Sequence, residues 1–258
     1  MKKFLEVLLV VLVFSFLVFG VNSAEAYIFV AGDGNFTSPL IYPNINGQPV
    51  DAGNQQFFTN ILQGGSNVAV LETSVDYDLA QYDANVRNFY NSLSGVTAHQ
   101  IIGSVTVANL AGMDLFVAPT PDDAFTAAEI AAMKNFIGGG GSIFFLGEHS
   151  SFSAQNAYIN SALTGLNSNL SITDDFLDCG TFRTATGSQI ASDPFTFGVQ
   201  TFSYCCTSIV VGGTDLFFTE SGQSFVAYEA TGVPEPATFL LIGAGLIGLF
   251  SGREMLRR

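Results

Sequence analysis

Tryptophan is absent from this 258-residue chain, histidine occurs twice, and eight Lys and Arg stand against 22 Asp and Glu. Each shortage removes a class of function. Between residues 27 and 232 the only bases are Arg87, Lys134 and Arg183, which leaves that stretch fifteen charges negative. Such a surface repels nucleic acid and anionic headgroups, so nucleic-acid binding is excluded as a class. An acidic polysaccharide would need bridging cations. With His99 and His149 alone, a multi-histidine zinc site cannot be assembled. Cys179, Cys205 and Cys206 lack C-x-x-C spacing, which argues against a thiolate metal site as well. Without tryptophan, any aromatic platform for a sugar falls to Tyr42, Tyr77 or Tyr90, and the 25 Phe read as core. No G-x-S-x-G elbow is present to give Ser150 a hydrolase role.

What is present begins with two apolar ends. Lys2 and Lys3 precede an apolar run from Leu8 to Phe19, and Ala24-Glu25-Ala26 forms an A-x-A site before Tyr27. That is the pattern of a secretory leader over residues 1–26. At the other end, Ala237 to Phe250 gives 14 mostly apolar residues, where a spanning helix needs about 20. Arg253, Arg257 and Arg258 follow and favour the cytoplasmic side. Val233-Pro234-Glu235-Pro236 stands in front. This order of motif, apolar helix and basic end resembles the PEP-CTERM sorting signal of Gram-negative bacteria, with Glu254 as a departure inside the basic cluster. The resemblance implies that residues 233–258 carry a short transmembrane helix recognised by an exosortase. It also implies secretion machinery as partner, an inner-membrane intermediate, and release to the cell surface or an exopolysaccharide matrix.

Residues 27–232 suffice for one domain with a sizeable core. Ile28 to Ala31, Val68 to Leu71, Val96 to Ile102, Leu115 to Ala118 and Ser142 to Leu146 read as strands. Helical stripes alternate with them: Phe57, Phe58, Ile61 and Leu62, then Leu79, Tyr82, Val86, Phe89 and Leu93. A third helix starts at the capping box Thr126-x-x-Glu129 and ends near Gly138. The expectation is an α/β fold with a doubly wound, mostly parallel, flavodoxin-like sheet. Short β-rich segments after Leu166, among them Phe195 to Tyr204, predict an antiparallel extension at one edge. In an oxidising compartment Cys179 is expected to pair with Cys205 or Cys206.

The stretch from Asp114 to Phe152 (strand, Thr-x-x-Glu helix, glycine run, strand, then Gly147-Glu148-His149) resembles the class I glutamine amidotransferase-like domain. The segment Asp193 to Val199 is similar to a later part of its divergent branch. That resemblance implies a nucleophilic cysteine at the turn after Leu146, where this chain has none. Glu148 and His149 remain as an acid–base pair if the protein is an enzyme. Asp33, Asn35, Asp122, Asp123 and Asn156 follow other strands or lie close in sequence, so they are ligand-binding candidates, with a divalent cation as an optional cofactor. Asp33 and Asp122 also read as turn and helix caps and Glu148 as a solvated strand-end residue, and Asn156 and Asn160 share a helix face that suits buried hydrogen bonding. His99 reads as a structural histidine inside an apolar segment, and Gly138 to Gly141 as a tight turn. The favoured expectation is an exported, non-catalytic domain that binds exopolysaccharide or envelope material. Its rivals are a glycan or envelope hydrolase using Glu148 and His149, and a structural matrix protein linked through its odd cysteine.

Overall fold

The computed structural model describes residues 25–42, 47–73 and 80–232. Residues 1–24 of the leader, Tyr77, Val233-Pro234-Glu235-Pro236 and the apolar tail lie outside them. Among the described residues no helix is long and apolar enough to cross a membrane.

Five of the expected segments form parallel strands, of which the third is mostly polar: β1 (Ala26–Ala31), β2 (Asn67–Leu71), β3 (Thr97–Ile101), β4 (Leu115–Pro119) and β5 (Ser142–Leu146). Every residue of β4 and β5 is buried, which requires cover on both faces of the sheet. Side chains alternate across the pleat, so consecutive residues feed two separate cores. Phe29, Val68, Val70, Val117 and Phe144 face one core, while Ile28, Val30, Ala69, Phe116 and Phe145 face the other.

Helices α1 (Ala52–Ile61) and α2 (Ala80–Ser92) cover the first face, through Phe57, Phe58 and Ile61 and through Val86, Phe89 and Tyr90. After the short α3 (Val107–Leu110), helices α4 (Ala127–Gly138) and α5 (Ser153–Leu166) cover the second, through Met133 and Phe136 and through Ile159, Ala162 and Leu163. The predicted Thr126–Glu129 capping box is formed in both directions. Phenylalanine is the commonest side chain of the first core: Phe36, Phe57, Phe58, Phe144, Phe202 and Phe217 meet mostly edge to face. A fully buried ring of this size contributes about 2–3 kcal/mol.

The carboxy-terminal part is β-rich, as the segments after Leu166 imply. β10 (Thr214–Phe218) and β11 (Ser224–Thr231) add antiparallel strands at one edge, with β11 paired to β1. The remaining short strands stand apart as two pairs: β6 (Ser171–Ile172) with β9 (Val210–Val211), and β7 (Arg183–Thr186) with β8 (Thr201–Tyr204). Phe195, expected within a strand, lies instead in a turn of 3-10 helix over Pro194–Thr196, capped by Asp193.

The seven-stranded order is β10-β11-β1-β5-β4-β2-β3. It differs from the 2-1-3-4-5 of flavodoxin-like sheets. What persists is the alternation of faces. β1 and β5 are neighbours, yet the chain leaves β1 for α1 on one face and β5 for α5 on the other. β2 and β4 repeat the arrangement with α2 and α4. A crevice therefore opens at the carboxyl ends of each pair, where open α/β sheets place ligands.

Candidate functional site

The β1/β5 crevice holds Asp33 and Glu148, one residue beyond Gly32 and Gly147 at the ends of the two strands. Glycine is required at both positions. A Cβ on Gly32 would lie 2.1 Å from the carbonyl oxygen of Ser208, and one on Gly147 would lie 2.6 Å from Asn156 Oδ1. Those close approaches bring the later loops onto the strand ends. Asn156, on the first turn of α5, receives the Glu148 N–H at 3.0 Å and donates to the Glu148 carbonyl at 2.7 Å. The Ser208 hydroxyl donates to the same carbonyl at 2.9 Å.

Both carboxyl groups are wholly buried. Asp33 accepts from the backbone N–H of Asn35 at 2.6 Å and from that of Cys205 at 2.8 Å. Glu148 accepts from the Gly34 N–H at 3.0 Å and from the Asn35 amide at 2.8 Å. The Asn35 amide oxygen is itself fixed by the Tyr82 hydroxyl at 3.0 Å. Asp33 and Glu148 also hydrogen-bond to each other, which requires one proton between them.

Burial pushes Asp33 up to about 7, against the pull of the Cys205 and Asn35 donors. Burial and the Asp33 charge hold Glu148 well above the usual carboxylate range. His149 is lowered because it is partly desolvated. Its Nε2 stands 3.7 Å from Glu148 Oε2, while Nδ1 accepts from the Ser151 N–H at 3.3 Å. The raised Glu148 and the lowered His149 both disfavour an ion pair, and 3.7 Å is too long for a hydrogen bond. Phe152 and Phe176 wall the imidazole edge-on. Glu148 is therefore not the solvated strand-end residue that its sequence position allows.

The third cysteine joins this group. Cys179 and Cys206 form the disulfide, and Cys205 is left as a free, half-buried thiol. Burial and the negative charge of the Asp33–Glu148 pair push that thiol up to about 11, so it stays protonated and a poor nucleophile. Its carbonyl accepts from the Asn35 amide at 3.3 Å. Sequence reasoning missed Cys205, Tyr82 and Ser208 as parts of the site. The adjacent cysteines signalled a disulfide, and nothing local signals that the Cys205 backbone reaches Asp33 across 172 positions.

Asp122 and Asp123 do not join the carboxyl pair. They line a recess of about 380 Å³ over the β2/β4 crevice, together with Glu72, Glu129, Ser104 and Phe125. Among the described residues no group of His, Cys, Asp and Glu is arranged to hold a metal ion. His99 is exposed on edge strand β3 rather than enclosed. Tyr90 is fully buried and donates to the Phe58 carbonyl at 2.8 Å, which removes it as a sugar platform; Tyr42 is exposed. Asn160 receives the Ile172 N–H and donates to its carbonyl, both at 2.8 Å, so the shared helix face serves hydrogen bonding.

Residues 232–258 match the family model of the PEP-CTERM protein-sorting motif. The motif marks the chain as an exosortase substrate, exported and directed to the cell surface, and leaves the activity of residues 26–231 open. No curated protein matches the chain in sequence. One solved structure similar to it is the mmIFT52 N-terminal domain, at 17% identity and a TM-score of 0.43, over 51% of this chain and 68% of that one. A likeness at that level carries no argument about fold or activity.

Proposed function

We propose that this is an exported cell-surface protein whose α/β domain is a non-catalytic binding module for exopolysaccharide or envelope glycan. On this reading residues 1–26 are the leader, 27–232 an amidotransferase-like domain without its nucleophile, and 233–258 the sorting segment. That segment holds an inner-membrane intermediate through its short helix until an exosortase releases the domain to the surface or matrix. The observation that carries the reading is the state of the carboxyl pair. Asp33 and Glu148 are completely buried, and their oxygens are taken up by main-chain N–H groups, the Asn35 amide and each other. Groups held in this way brace three loops and are not presented to a polymer. The open recess at Asp122 and Asp123 is the better ligand surface, because carboxylates there accept hydrogen bonds from sugar hydroxyls.

A second reading has one observation in its favour: His149 Nε2 stands 3.7 Å from Glu148 Oε2, and a carboxyl raised by burial beside a lowered imidazole suits a general acid with a base next to it. One experiment separates the two. The full chain in detergent is incubated with exopolysaccharide purified from its host, and protein elution and polymer size are followed by gel filtration. The binding module predicts co-elution with polymer of unchanged size. It also predicts a loss of co-elution of about tenfold or more in the Asp122→Asn/Asp123→Asn double variant, and none in Glu148→Gln. Shortened polymer, with shortening abolished in Glu148→Gln, would establish the hydrolase instead. Protein eluting alone beside intact polymer would sink both.

A further inference from the structure

The 25 phenylalanines read as core, and Phe197 departs from that reading. It is 80% exposed, more than any other large apolar side chain among the described residues. A single apolar side chain at the surface needs no explanation. This one is held out by its surroundings. Phe195, two residues earlier, is buried as a wedge among Tyr27, Phe29 and Tyr228, with ring centroids 4.8–4.9 Å away. Asp193 closes the turn by accepting from the Phe195 N–H at 2.8 Å and from the Tyr228 hydroxyl at 2.9 Å. The Asn60 amide on α1 donates to the carbonyls of Phe195 and Phe197, both at 2.9 Å, and the Gln56 amide donates to Asn60 at 2.8 Å. The main chain of Phe197 is therefore fixed. It lines a recess of about 400 Å³ that also takes in Ser192 and Gln200, both exposed.

We propose that this recess is a second glycan site, where the apolar face of a neutral pyranose stacks on Phe197 while Ser192 and Gln200 exchange hydrogen bonds with its hydroxyls. The fifteen net negative charges of residues 27–232 turn away an anionic sugar. Resting on the reading of the Asp122–Asp123 recess as a glycan site, the second site makes the domain bivalent. The two recesses lie at opposite ends of the sheet. Asp122 and Asp123 follow the carboxyl end of β4. Phe195 instead packs on Tyr27 at the start of β1, and Asn60 stands near the end of α1, which returns the chain to the amino end of β2. A six-residue strand such as β1 separates those ends by about 20 Å. One sugar ring cannot reach both, so each domain bridges two polysaccharide chains and cross-links the matrix.

The test adds the full chain in detergent to exopolysaccharide purified from its host and follows light scattering, with co-elution on gel filtration measured beside it. Bridging predicts scattering that rises and then falls, because excess protein occupies every chain separately. Phe197→Tyr keeps the ring and should behave as wild type. Phe197→Ala and the Asp122→Asn/Asp123→Asn variant should each still co-elute, more weakly, and scatter at least about tenfold less. Phe197 is exposed, so an unchanged urea midpoint in Phe197→Ala separates lost binding from lost folding. Full scattering in Phe197→Ala would overturn the second site and leave the first standing. Full scattering in both variants would assign the cross-linking to self-association of the protein, which also overturns the proposal. Wild-type co-elution without scattering would mean that no second chain is taken up, and bridging would fall. Protein eluting alone beside intact polymer would remove the glycan reading itself, and the second site with it.

Discussion

At the scale of the residue, Asp33 and Glu148 invert the usual dependence of stability on pH. Ordinary carboxylates are held down in a folded protein and favour it at neutral pH. Here both are raised, Asp33 to about 7 and Glu148 well above 4.5. The folded state therefore binds more protons than the unfolded chain once pH exceeds the ordinary carboxylate values. Stability from the pair is complete below about pH 4 and is lost as pH rises through 7, at up to about 1.4 kcal/mol per pH unit for each proton. His149 acts oppositely: its lowered value makes the unfolded chain the better proton binder below about 6.5, so it removes stability on the acid side. The urea midpoint of the oxidised protein should consequently be higher at pH 6 than at pH 8.5. Glu148→Gln keeps an oxygen for Gly34 and Asn35 and an N–H for Asp33, so its midpoint should change much less over that range. A wild-type midpoint that is flat or rising from 6 to 8.5 would mean that the pair does not share a proton.

At the scale of the element, the loops over the sheet are fastened by side chains reaching back from α5. Asn156 satisfies both main-chain groups of Glu148, and Asn160 both of Ile172. Asn156 is 1% exposed, so Asn156→Ala leaves the buried Glu148 N–H without its acceptor and the Glu148 carbonyl with Ser208 alone, and should cost about 2–3 kcal/mol. Asn160 is half-buried, water can replace the lost amide, and Asn160→Ala should cost about 1 kcal/mol. Chemical denaturation at one pH measures both, and equal losses would contradict the difference in burial. The sequence placed these two asparagines on one helix face, because a spacing of four needs no tertiary information. It also placed Asp33 and Glu148 at one edge, because both follow apolar runs of strand length. It did not reveal that the two touch while Asp122 and Asp123 stand apart, because that depends on strand order. Runs of similar composition do not encode which neighbour each takes. The β7–β8 pair and the Cys205 loop were hidden for a related reason. Arg183–Thr186 and Thr201–Tyr204 are short, half-exposed and held by long-range partners, so local pattern is weak there.

At the scale of the whole molecule, charge works against the fold and the phenylalanine core works for it. Residues 27–232 carry fifteen net negative charges. Among the described residues, the ion pairs formed by arginine are Arg87–Asp83 at 3.7 Å and the partly exposed Arg183–Glu220 at 3.6 Å. Two such pairs contribute at most about 1 kcal/mol each, whereas mutual repulsion acts between all the acids at once. Cohesion comes from the two buried cores and from the Cys179–Cys206 bridge, whose closed loop adds about 3–4 kcal/mol in the chain-entropy model. Screening should then stabilise the protein, because salt weakens the repulsion more than it weakens two pairs. Raising sodium chloride from 0.01 M to 0.2 M shortens the Debye length from about 30 Å to below 10 Å, so most of the gain falls in that interval. The melting temperature should rise by several degrees there and then level off. A melting temperature that falls with salt would show that local pairing outweighs the repulsion. A rise continuing linearly to 1 M would point instead to exclusion of salt from apolar surface.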